Sequence, residues 1–343
     1  MNKKTAITFA TCALVIAVFV IAFLIYRPAE KAPEVKTETA ATVIDEVIRN
    51  PLTGEKLEVA LTELPQVTAV MVENSADAWP LVGLDQAFLV IEAPVEGMIP
   101  RFELFFAPDA VAPKIGPVRS ARPYYVDWAA QFGALYAHVG GSPDALDKLR
   151  TANVTNFDQF FNGDYFWRDT ATRSAPHNVY TSIENLVDAE INVKKMPVPS
   201  YTFWQFKDGA ASGENHSLTI DWTAGGTYDV AWDYDAATNV YTRKQGGTAN
   251  FLEHWAKVVA DNVVVMESDM EVLDEKGRRS IRTTGTGSAM IAQDGQIITA
   301  TWSKESETAP LRFLDEAGNE IKMNAGKTWI EVVPSLSQVT TSN

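Results

Sequence analysis

Ala134-Leu135-Tyr136-Ala137-His138-Val139-Gly140-Gly141-Ser142-Pro143-Asp144 reads as a strand, a tight turn and the opening of a helix. The run from Ala134 to Val139 is apolar almost throughout, as suits a strand covered on both faces. Two glycines then let the chain turn sharply. Ser142 is a good N-cap and Pro143 a good first helical residue, so Asp144 to Arg150 continues as helix. A strand running straight into a helix is the unit of an α/β layer. Working outward, Pro123 to Phe132 predicts a second helix, with Tyr124, Trp128 and Phe132 on one face. Thr68–Val72, Ala87–Ile91 and Phe102–Phe106 are further apolar runs of strand length. Thr181-Ser182-Ile183-Glu184 is a capping-box pattern that opens a helix through Ala189.

The character of the chain changes near 191–203. Met196-Pro197-Val198-Pro199 fits neither a helix interior nor a central strand. Beyond it Tyr228, Val230, Trp232 and Tyr234 alternate with polar residues, as in a half-buried strand. Asp294-Gly295 joins two strand-like runs, which is a hairpin signal. The expected class is therefore α+β. An N-terminal α/β domain with a mixed sheet spans 50–195, and a mostly antiparallel β domain spans 200–336.

One transmembrane helix is expected before them. Lys3 and Lys4 precede an uncharged run from Ala6 to Tyr26, about the length that crosses a bilayer. It exceeds the apolar core of a cleaved signal and lacks an Ala-x-Ala site. The lysines place the N-terminus inside and the body outside. Residues 1–27 are read as the anchor and the charge-mixed, Pro-containing 28–49 as a tether. Cys12, the sole cysteine, sits in a poor lipobox context, and the body has no disulfide and no thiolate chemistry. A formal net charge of −15 disfavours nucleic acid as a partner. The partners expected are the cell membrane and membrane proteins.

Candidate site residues lie in polar loops between the apolar runs of the first half. They are Glu96 and Arg101; Arg119, Ser120 and Arg122; His138 with Gly140, Gly141 and Ser142; and Arg168, His177 and Asn178. Arginine forks suit carboxylate and phosphate. The Gly-Gly-Ser turn offers backbone N–H groups to an anion, although an ordinary strand–helix turn has the same composition. His138 or His177 could serve as a general base, with Asp127 or Asp169 to orient it. No Gly-x-Ser-x-Gly elbow and no His-Glu-x-x-His motif occur, so neither a metal nor a cofactor is expected. Tyr165, Phe166 and Trp167, with Phe160 and Phe161, suit either a packed segment or stacking on a sugar.

Together these segments resemble the YerB-like family of bacterial lipoproteins and membrane-anchored proteins. The likeness runs from about Asn50 to Pro334. It includes Asn50-Pro51-Leu52-Thr53-Gly54, Val70 through Ser75, Ile115 through Pro123, His138 through Pro143, Ala175-Pro176-His177-Asn178 and Gly326 through Pro334. The resemblance implies an extracytoplasmic, two-domain protein without assigning an activity. Where relatives carry Gly-Ile-Thr, this chain has Met98-Ile99-Pro100, which removes a hydroxyl. The expected role is capture of an anionic or sugar-containing envelope ligand at the Arg/His/Gly-Gly-Ser loops. The alternatives are an envelope hydrolase using Glu96, His138 or His177, and a scaffold of a membrane complex.

Overall fold

A computed structural model describes residues 20–22, 26, 47–222, 225–249 and 252–342. The anchor reading falls almost wholly outside the described residues, as does Cys12. Among the described residues no helix is long and apolar enough to cross a membrane. Val47–Asn343 forms one compact unit. It begins before the expected body, since Arg49 bridges to Lys56 and donates from Nη1 to the Gly54 carbonyl at 2.8 Å.

The first half supplies β1 (Thr68–Val72), β2 (Leu89–Pro94), β3 (Pro100–Phe106), α1 (Pro123–Ala130), β4 (Leu135–His138), α2 (Pro143–Lys148), β5 (Thr155–Asp158) and α3 (Ile183–Asp188). The second supplies β6 (His216–Ile220), β7 (Val230–Asp235), β8 (Val240–Gln245), β9 (Val259–Ala260), β10 (Asn262–Glu267), β11 (Gly285–Gln293), β12 (Gln296–Lys304), β13 (Arg312–Leu314), β14 (Thr328–Val333) and β15 (Val339–Ser342). The expected strand runs and the 294–295 hairpin are present. Asp294 and Gly295 both have positive φ, 54° and 73°, as the two central residues of a type I′ hairpin turn require. The third helix differs in detail: Ser182, not Thr181, is its N-cap, accepting from the Asn185 N–H.

A ten-stranded mixed sheet has the order β13-β12-β11-β10-β14-β2-β3-β1-β4-β5, and a five-stranded antiparallel sheet the order β9-β8-β7-β6-β15. The larger sheet runs across the Pro-rich seam. β14 lies parallel to both β2 and β10, pairing Leu89 with Thr328 and Asn262 with Thr328. Strand alternation sends Val70, Val72, Val90, Phe102, Leu104 and Trp329 to one face, where they pack with Trp232, Tyr234 and Tyr241 of the smaller sheet. Met71, Ile91, Phe105, Tyr136 and Ile330 point the other way and pack on Tyr124, Tyr125 and Trp128 of α1. The central strands β14, β2, β3, β1 and β4 are therefore covered on both faces, and this is why they read as nearly unbroken apolar runs.

Two carboxylates interrupt the first of these cores. Glu92 and Glu331 are register partners on β2 and β14 and are fully buried. Arg243 reaches in from β8, with Nη2 2.7 Å from Glu92 Oε2. The indole N–H groups of Trp329 and Trp232 donate to Glu92 and Glu331 at 3.1 and 2.9 Å. Burial, with Glu92 alongside, pushes the Glu331 carboxyl well above its usual range. Arg243 also donates to Gln245, which exchanges hydrogen bonds with Asn74 at the end of β1.

Candidate functional site

A hollow of about 200 Å³ opens where β1 ends and β3 begins, beside the segments around Arg119 and His177. Glu73, Asn74 and Ser75 follow the last residue of β1, while Glu96 lies in the turn between β2 and β3 and Arg101 lies on β3. The folding logic is local: each buried strand ends in polar residues that the sheet cannot cover. Glu73 is the hub. Its Oε1 accepts from His177 Nδ1 at 2.8 Å and Ser75 Oγ at 2.7 Å, and lies 3.2 Å from Arg119 Nε. Its Oε2 is buried without a hydrogen-bond partner among the described residues. With Nδ1 of His177 donating to Glu73, Nε2 is the acceptor nitrogen when the ring is neutral.

Arg101 is buried, and its Nη1 donates to the Ser120 carbonyl at 2.7 Å. Among the described residues it forms no ion pair with a carboxylate. Burial, with Arg122 and Arg119 nearby, lowers its pKa from the ordinary value. Arg122 stands just behind the hollow and donates from Nε to Glu96 Oε1 at 2.9 Å. Burial pushes the Glu96 carboxyl up, but Arg122, a backbone hydrogen bond and the Arg101 charge together outweigh it and hold the group below the usual range.

The other candidates lie elsewhere. His138 is fully buried, with Nδ1 2.8 Å from the Gly140 carbonyl and Nε2 2.8 Å from Asn156 Oδ1. Both nitrogens are engaged, which removes His138 as the base of a hydrolase. The Gly-Gly-Ser turn is likewise occupied from within. Gly140 donates its N–H to Asp158 Oδ1 at 3.0 Å, so the chain's own carboxylate sits where an outside anion was expected. Ser142 caps α2 by accepting from the Ala145 N–H, and Gly141 is bridged to Ala121. Arg168 donates to Asn178 Oδ1 at 2.8 Å across a two-stranded ribbon, Trp167–Arg168 with Val179–Tyr180. Asp127, on α1, is held by Thr283 and Lys148. Glu96, Arg101, Arg119 and His177 therefore line one hollow, with Arg122 and the Ser120 carbonyl at its edge. His138, Gly140, Gly141, Ser142, Arg168 and Asn178 form no part of its wall.

This body matches two family models in chain order. Residues 52–196 match the N-terminal domain, and residues 218–330 the C-terminal domain, of the protein of unknown function DUF3048. The chain belongs to the DUF3048 family. A relative from Bacillus subtilis (strain 168), named "Putative lipoprotein YerB", is 32% identical over 301 residues, covering 86% of this chain and 89% of that one. A crystal structure of YerB protein from Bacillus subtilis superposes with a TM-score of 0.76 at 30% identity, covering 86% of this chain and 100% of that chain. The mixed and antiparallel sheets described above thus match the fold of that structure.

Glu73, Asn74 and Ser75 were not among the expected site residues of this DUF3048 chain. A legible signal existed, because three polar residues directly follow a fully apolar strand. A second and larger cavity, near Lys114 and Glu253, had no such signal. Its walls come from both halves of the chain, and neither residue stands in an unusual local sequence.

Proposed function

We propose that the protein is a membrane-tethered, extracytoplasmic binding protein whose hollow takes one small anionic group. In this reading residues 1–27 form the anchor, and the body presents its site to the cell envelope or to membrane-protein partners. The observation that carries the proposal is Arg101: a buried guanidinium that lines a hollow, lacks a carboxylate partner among the described residues and has two further guanidiniums nearby. A buried charge is costly unless paired, so the site gains by admitting a negative ligand. The orphaned Glu73 Oε2 adds a requirement for a hydroxyl or N–H beside that charge, as on a phosphate monoester or hydroxy acid.

Titration calorimetry with inorganic phosphate and with glycolate tests this reading. Arg119→Ala should weaken binding about tenfold or more, in line with loss of one charge-assisted contact. A thermal melt will show whether the variant remains folded. Equal affinity of the wild type and the folded variant for both anions sinks the proposal. A second reading, hydrolysis with His177 as general base, is favoured by the 2.8 Å Glu73–His177 contact, the geometry by which a carboxylate orients a base. Turnover of a phosphate ester that disappears in His177→Gln would select it.

A further inference from the structure

We propose that the larger cavity is a second ligand site, distinct from the hollow, and that it binds a neutral saccharide of about two rings. The cavity measures about 730 Å³, well within the ~300–1,000 Å³ typical of small-molecule sites. It is also far roomier than the hollow, at about 200 Å³. One short stretch of chain separates the two. Glu73 to Ser75 line the hollow, whereas Asp77, Trp79 and Pro80 line the cleft.

The lining combines an apolar wall with a floor of paired charges. Trp79, Pro80 and Leu252 form the wall. Trp79 is fixed in place, because its indole N–H donates to Asn74 Oδ1 at 3.0 Å and its ring meets Tyr228 edge-on with centroids 6.0 Å apart. On the floor, Lys114 Nζ lies 2.9 Å from Glu253 Oε1 and 3.4 Å from Asp169 Oδ2. Arg173 Nη1 approaches the same Glu253 oxygen at 3.7 Å. Thr172 stands exposed at the rim.

This chemistry selects among ligand classes. Both floor cations already have carboxylate partners, and Asp77 adds a further acid, so a free anion meets no net attraction. A purely apolar ligand would strip water from ionised groups without replacing it. A sugar hydroxyl both donates and accepts, so it can bridge an ammonium and a carboxylate that lie about 3 Å apart while leaving their pairing intact. The C–H faces of the rings are then available to the aromatic and aliphatic wall. The hollow differs in that Arg101 has no carboxylate ion pair among the described residues, and this separates the two specificities.

The test is saturation-transfer NMR on the full chain with chitobiose, cellobiose and glucuronic acid. One or both neutral disaccharides should bind, and glucuronic acid should bind more weakly. Thr172→Trp fills the mouth of the cleft from an exposed position and should weaken disaccharide binding about tenfold. It should leave phosphate affinity unchanged. Trp79→Ala should abolish disaccharide binding, with a melting curve reporting its fold. Conversely, Arg119→Ala should leave disaccharide binding intact, so failure of this site and failure of the hollow are told apart. Three outcomes overturn the proposal: no disaccharide binds, binding survives Thr172→Trp, or glucuronic acid binds most tightly.

Discussion

Glu103 shows how a single residue can carry pH dependence into a core. It lies on β3, is fully buried, and neither of its carboxyl oxygens has a hydrogen-bond partner among the described residues. Burial, with Asp127 nearby, pushes its pKa well above 4.5. The native state then keeps a proton that the unfolded chain has released. This contribution is therefore full below about pH 4.5 and is lost as pH rises through the raised native value. Glu103→Gln removes the titration, so its stability should decline less than that of the wild type between about pH 5 and pH 8. Urea unfolding at the two pH values measures this, and equal declines would exclude Glu103 as a source. The pattern of apolar residues around Glu103 gave no warning, because an acid within a buried strand reads like any other polar interruption. Arg101 and Arg119 were legible as site residues, since arginines are conspicuous in so acidic a chain. His138 misled because a strand-end histidine looks the same whether free or doubly bonded.

Single elements were the most readable level. The turn at 140–143 illustrates both success and error. Its strand, glycines, cap and helix stand where the residues place them. The anion site read into it is filled by Asp158, which lies on β5 and is invisible to a local reading. Ser142→Ala should cost about 1 kcal/mol of stability through loss of the N-cap. Phosphate affinity at the hollow should stay unchanged, because Ser142 is outside its wall. Calorimetry of the variant beside a denaturation curve checks both statements, and a loss of affinity without a loss of stability would return the turn to the site. Helix and strand starts were visible because caps and apolar runs act over a few residues. Partners such as Glu73 with His177, or Lys114 with Glu253, depend on chain crossings that no local pattern encodes.

For the whole molecule, the sheet matters more than the seam. The change in composition near 196 is real, yet β14 of the second half is buried between β2 and β10, and Arg243 of the second half satisfies Glu92 of the first. Residues 47–199 expressed alone should therefore fail to give a cooperative unfolding transition, whereas 47–343 should give one. A cooperative melt of the short piece would show that the halves are separately stable. Sheet order of this kind also bears on the protein's earliest minutes. Leu89–Pro94 leaves the ribosome long before the strand that must sit beside it. Until Thr328–Val333 follows, one border of the nascent sheet stays open, with amides and carbonyls free to recruit a stranger. Pairings so distant along the chain also form slowly. Biogenesis of this molecule thus includes an interval of exposure that a chaperone, or delayed folding until the chain is complete, must cover.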